Sequence, residues 1–147
     1  MLSFAHTIIS LPLGIHINNP IIIFLSAFVL HLFCDTFLHW NIYPAYFKKY
    51  PIFLVILDMT IGLFIAYLIT GTAILTLPIL TAIIGGNAPD AIQQIWELSP
   101  RNLKKMVSIA NPFFKFHDKI QYETLNESKG LISQFSLVVF AIILSLL

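Results

Sequence analysis

Charge is what this sequence has least of. Only 10% of its 147 residues are Asp, Glu, Lys or Arg, against roughly 25% in soluble domains, and residues 1–34 carry none. With 58% hydrophobic residues, that scarcity excludes an ordinary soluble domain and indicates an integral membrane protein. Cysteine is almost missing too: Cys34 stands alone in an apolar run, which excludes a disulfide framework and a thiolate-rich metal site. No phosphate-binding glycine loop, nucleophile elbow or nucleic-acid module is present, so no nucleic-acid partner is expected. Gly85-Gly86 reads as a helix stop. Residues 1–17 lack a basic leader and a small-residue cleavage site, so they are expected to stay in the mature chain rather than leave as a signal peptide.

What remains is a series of apolar runs separated by turn signals. The expected fold is all-α: one membrane-embedded domain over 1–147, a polytopic integral membrane helical bundle of about five apolar helices with amphipathic surface helices in the 91–129 region. The apolar helices are expected at 3–17, 21–40, 52–70, 73–85 and 131–147. The first, interrupted by Pro12 and Gly14, is short for a span and could instead re-enter the membrane. Residues 18–20 form a turn, and 41–51 make an aromatic and basic interfacial loop. Gly71 and Thr72 allow a tight turn into a helix kinked at Pro78. Residues 85–90 end that helix, with Asp90 as an N-cap three residues before Gln93.

The charges that exist are concentrated late, with eleven of the fifteen between 90 and 129. Residues 101–110 read as a basic amphipathic helix. Asn111 and Pro112 then start another, with Phe113, Phe116, His117 and Ile120 on one face. Residues 123–129 form a polar connector. Lys48 and Lys49 precede the central hairpin and Arg101, Lys104, Lys105, Lys115, Lys119 and Lys129 follow it. The positive-inside rule therefore puts the basic segments, including the amphipathic 90–129 stretch, on the cytoplasmic side of an inner or plasma membrane, against anionic lipid headgroups.

Against this apolar background, the polar side chains of the second helix stand out. His31, Asp35 and His39 are spaced four apart and on a helix share one face. Imidazole and carboxylate are metal-ligand chemistry, and ionisable groups in an apolar helix are costly enough to suggest function. Eight residues of helix separate His31 from His39 by about 12 Å, so one ion cannot take all three. Either two nearby metals are held or one of the three acts indirectly. The stripe must be one wall of a site, and His6, Asp58, Asp90 and His117 are the residues available to close it. Metal ligation is assigned to His6, His31, Asp35, His39 and His117, and catalytic roles to Asp58 and Asp90. Each has a plainer explanation: a stripe that packs helices, a capping Asp90, a protonated Asp58, interfacial or core histidines at 6 and 117. His16, near the 18–20 turn, is left out.

These residues resemble a family of small bacterial-type inner-membrane proteins known as predicted metal-dependent hydrolases, distantly like zinc-dependent phospholipase C. The likeness rests on Ala5-His6-Thr7, His31 and Asp35 followed by His39-Trp40, the Gly-x-x-Pro-Asp element at 86–90, and Phe116-His117. The chain departs from the family pattern in lacking a His-Arg-Gly-x-Thr-His-Ser motif and a second Asp soon after Asp90. The resemblance implies a divalent-metal cofactor, Zn2+ by preference, and hydrolysis of a phosphoester, lipid-linked in one version, by metal-activated water. Two other classes stay open: a non-enzymatic membrane protein that handles ions or protons with the same groups, and one in which they only pack helices.

Overall fold

The computed structural model describes residues 1–42 and 51–147. The expected interfacial loop falls largely on 43–50, outside the described residues. The rest is helical: α1 (Ser3–His16), α2 (Pro20–Cys34), α3 (Pro51–Thr70), α4 (Leu77–Leu98), α5 (Arg101–Met106), α6 (Asn111–Ile120) and α7 (Glu127–Leu146). Among the described residues there is no strand, only an isolated bridge between His39 and Glu123.

The short first helix is the centre of the bundle, not a marginal span. Every residue from Phe4 to Leu11 is buried, because α1 is apolar or small on all sides and α2, α3, α4 and α7 pack around it. A helix apolar all round belongs inside. Its polar members are provided for: Ser10 Oγ donates to the Thr7 carbonyl at 2.9 Å, and Thr7 Oγ1 accepts from Asn87 Nδ2 at 3.0 Å. Pro12 lies within the helix without ending it. The N-terminal amides, which no side chain of α1 caps, are taken by Asp58 of α3: Ser3 N–H donates to Oδ2 at 2.6 Å and Phe4 N–H to Oδ1 at 3.4 Å. Asp58 is thus a helix cap supplied from a neighbour.

Two other expectations are corrected. Residues 85–90 do not stop a helix; α4 runs straight through them, and Pro78 sits in its first turn instead of kinking it. The glycines are there for approach: a Cβ on Gly86 would lie 2.8 Å from Ser10 Oγ and 3.1 Å from the His6 carbonyl oxygen, so only glycine lets α4 lie this close to α1. Asp90 is consequently a mid-helix residue. The second run does not stay helical to Trp40 either. After Asn19 caps α2 through Ile21 and Ile22, the helix stops at Cys34. There Thr36 Oγ1 turns back onto the Phe33 carbonyl, an alternative the backbone takes readily at Ser and Thr.

Among the described residues, two helices are long and apolar enough to cross a membrane, Phe53–Leu75 and Glu127–Leu146. The polytopic plan expected about five. The 14 and 15 residues of α1 and α2 are short of the roughly 20 a span needs, and the second half of α4 is polar. The outward faces of α2, α3 and α7 are nonetheless apolar, with Ile21, Leu25, Phe53, Phe64, Ile132 and Phe140 exposed.

Candidate metal centre

Four segments deliver the polar cluster. His6 comes from the buried stretch of α1, His31 from the last turn of α2, Asp90 from the middle of α4, and His117 from α6. The last is buried with Phe114, while Phe116 of the expected face is exposed. Aromatic contacts hold α6 against the bundle: Phe113 lies 5.8 Å from Phe28 between ring centroids, and Phe114 stacks on Trp96 at 4.9 Å. Asp35, the residue just past α2, is at the centre with no exposed surface.

The turn after Cys34 gathers the residues that a straight helix would separate. The chain doubles back into a short ladder in which His39 N–H donates to the Tyr122 carbonyl, Tyr122 N–H to that of Asp35 and Thr124 N–H to that of His39, at 2.9–3.1 Å. That brings the His39 Nε2 atom within 3.9 Å of Asp35 Oδ1. The His31, Asp35, His39 group is therefore a helix end with a returning loop, not a helical stripe.

Around Asp35 Oδ2 the geometry is tight. His31 Nε2 lies 3.1 Å from it and His117 Nε2 3.2 Å, and the two nitrogens are 3.3 Å apart. Asp90 Oδ1 is 3.4 Å from His31 Nε2 and 3.7 Å from His117 Nε2. The remaining ring nitrogens fix the tautomers. His31 Nδ1 faces the Gly86 carbonyl at 2.7 Å and must donate, since a carbonyl only accepts. His117 Nδ1 faces Gln93 Oε1 at 2.5 Å, and that amide is oriented by its own donation to Asp118 and Glu97. With both Nδ1–H groups committed, the two Nε2 atoms face each other and two carboxylates; burial lowers the His31 imidazole, but hydrogen bonds to Asp35 and Asp90 outweigh that and hold it up to about 9. Two imidazoles and two carboxylates so arranged need positive charge between them, from a proton or a metal ion.

The spacing fits a metal ion. Ligands at about 2.0–2.1 Å from a tetrahedral ion are separated by roughly 3.3 Å, and four atoms from His31, Asp35, Asp90 and His117 lie within 4.8 Å of one another. Carbonyl and amide acceptors behind the histidines supply the outer support that metal-ligating imidazoles commonly have. Of two further buried ring nitrogens, His39 Nε2 has no hydrogen-bond partner and His6 Nε2 faces Asp35 Oδ1 at 3.3 Å. This donor set of imidazole nitrogen and carboxylate oxygen suits a divalent transition metal.

No family model, curated protein or solved structure matches the chain.

Electrostatics fix the charge of the two groups past the end of α2. Burial raises the Asp35 carboxyl, but hydrogen bonds from His117, His31 and His6 outweigh it and hold the group well below the usual carboxylate range, so it is ionised. His39 is held below the ordinary imidazole value, first by burial and then by the positive Met1 amino group; it is neutral at pH 7 with its Nδ1–H given to the Phe37 carbonyl at 2.8 Å. The Met1 amino nitrogen itself donates to Asp35 Oδ1 at 3.0 Å.

The structure thus brings His6, His31, Asp35, His39, Asp90 and His117 together and leaves out Asp58, whose carboxylate caps α1. His16 is elsewhere, with Nε2 2.8 Å from the Leu144 carbonyl. Sequence reasoning missed Gln93 and Glu123. Gln93 was visible as an amide one turn beyond Asp90, where the capping pattern absorbed it. Glu123 had no local signal, since only the ladder to His39 brings its Oε1 to 3.9 Å from His39 Nε2.

Proposed function

We propose that the chain is a membrane-embedded metal-dependent hydrolase acting on a phosphoester. The observation that carries this reading is the convergence of ligand-type atoms: His31 Nε2, His117 Nε2 and Asp35 Oδ2 lie within 3.3 Å of one another, with both Nδ1–H groups committed elsewhere. His31, Asp35, Asp90 and His117 would hold the ion, zinc by preference, as the family resemblance also implies. A bound divalent ion supplies a more acidic water and polarises a phosphoryl oxygen.

The chain's own residues do the rest. Asp35, fully buried, fixes the geometry from behind. Asp90 and Glu123, each with 29% of its side chain exposed, form the open side through which a substrate enters. Glu123, held by Asn41 Nδ2 at 3.0 Å, is the carboxylate placed to accept a proton from an attacking water. A lipid-linked substrate is favoured by an apolar cavity of about 350 Å³ lined by Leu2, Phe4, Trp40, Leu57, Ile61 and Phe135. Trp40, which lines the cavity, follows His39 directly, so cavity and cluster share this stretch of chain. Basic side chains of α5 and α6 then lie on anionic lipid at the cytoplasmic face.

The test is to purify the chain in detergent without chelators, count bound metal, and assay phospholipid and nitrophenyl phosphodiester hydrolysis. Metal with hydrolysis that Asp35→Asn abolishes is expected. Metal without hydrolysis would favour ion handling, and metal-free protein would leave helix packing.

A further inference from the structure

The cluster has a second side that a single ion leaves unused. Asp35 and Asp90 each divide their two oxygens in the same way. Asp35 Oδ2 faces His31 and His117, while its Oδ1 lies 3.3 Å from His6 Nε2 and 3.9 Å from His39 Nε2. Asp90 Oδ1 faces His31 and His117, while its Oδ2 lies 4.0 Å from His6 Nε2. The His6 and His31 rings are stacked, with centroids 3.7 Å apart and an angle of 21° between planes, so their Nε2 atoms address neighbouring positions. On the second side, His39 Nε2 is buried without a hydrogen-bond partner, and His6 Nε2 has the Asp35 carboxylate at 3.3 Å. His6 is 2% exposed and His39 not at all.

Resting on the reading that the first side holds a metal, we infer that the chain binds a second divalent cation on His6, His39, Asp35 Oδ1 and Asp90 Oδ2, with both carboxylates bridging the pair. Bridging carboxylates hold two ions about 3.5–4 Å apart, the separation at which paired metals clamp the attacking and leaving oxygens of a phosphoester. Asp35 Oδ1 accepts the Met1 amino group at 3.0 Å; the bound cation takes over that oxygen. The ladder that returns His39 to Asp35 has this role: without it the second side would have only His6. Two imidazoles and two carboxylate oxygens accept Zn2+ and Mn2+ alike, which makes both useful probes.

The experiment strips the detergent-solubilised full chain with chelator, saturates it with Zn2+, removes excess and counts metal per chain. Wild type is expected to retain two ions, and the double variant His6→Gln, His39→Gln one. Wild type reloaded with Mn2+ is expected to give the paramagnetic resonance signal of an exchange-coupled pair, which needs no variant to fold. One ion per chain with only an isolated Mn2+ signal overturns the second position and leaves the first standing. No retained metal overturns both. Two ions retained in a folded double variant place the second elsewhere and also overturn the inference.

Discussion

Gln93 is the most discriminating residue to change, because it reaches the metal centre only through His117. Its Oε1 accepts the His117 Nδ1–H while its Nε2 is pinned by Asp118 Oδ1 at 2.5 Å and Glu97 Oε1 at 3.3 Å. Gln93→Leu removes that acceptor. His117 is then free to rotate and to place its proton on Nε2, the atom that must be bare to ligate. Losing such outer support lowers metal affinity by about 10- to 100-fold, or about 1.4–2.7 kcal/mol. Gln93 is half-buried, so its contribution to the metal-free fold is that of one net hydrogen bond, about 0.5–1.5 kcal/mol. Competition against a chromogenic zinc chelator in detergent measures the first quantity, and thermal melting of stripped protein the second. Gln93→Glu keeps an acceptor for His117 and should retain more affinity than Gln93→Leu, although it loses the donor that Asp118 and Glu97 accept. Wild-type affinity in Gln93→Leu would refute the assignment of His117 as a ligand held by this amide.

Three further outcomes are expected. Glu123→Gln should lower phosphodiester turnover by about 10²- to 10⁴-fold while metal content stays at the wild-type level; turnover that does not change excludes Glu123 as the proton acceptor. Asp58→Ala should cost about 1 kcal/mol of stability, as the loss of the α1 cap predicts, with metal content unchanged; a folded, metalled but inactive variant would return Asp58 to the chemistry. Zinc affinity should fall as pH drops below about 9, because the His31 imidazole, lowered by burial but raised more by its hydrogen bonds to Asp35 and Asp90, holds its proton up to about 9 and that proton competes with the metal for Nε2. The slope should flatten in His31→Ala, and a pH-independent affinity between about 5.5 and 7.5 would argue against histidine ligation.

Much of this site is legible in the sequence, and the failures have definite causes. His31, Asp35, His39, Asp90 and His117 are conspicuous because polar titratable groups are costly in an apolar chain, and the structure assembles all of them with His6. The length argument, that a helix would hold His31 and His39 about 12 Å apart, rightly indicates that a helical stripe cannot be a complete site. The chain resolves it by abandoning the helix at Cys34, a turn that hydropathy alone does not reveal. Asp58 misleads for the opposite reason: its burial is real, but the groups it satisfies are backbone amides 54 and 55 residues away in sequence. Pro and Gly signals mislead in α4, where Gly86 is required by the approach of α1 and Pro89 is tolerated inside the helix. The span count was too high because apolar runs of 14 and 15 residues serve equally as core or short helices.

The most direct measurement is the metal content of the detergent-purified chain, saturated with Zn2+ and freed of excess, beside that of Asp35→Asn. Asp35 touches His6, His31, His117 and the Met1 amino group at 3.0–3.3 Å, and the isosteric amide keeps its size while exchanging one acceptor oxygen and the charge for a donor. Stoichiometric metal in wild type and little in the variant is the predicted result. Wild-type protein that is folded yet retains no metal, or a variant that retains all of it, would contradict the account.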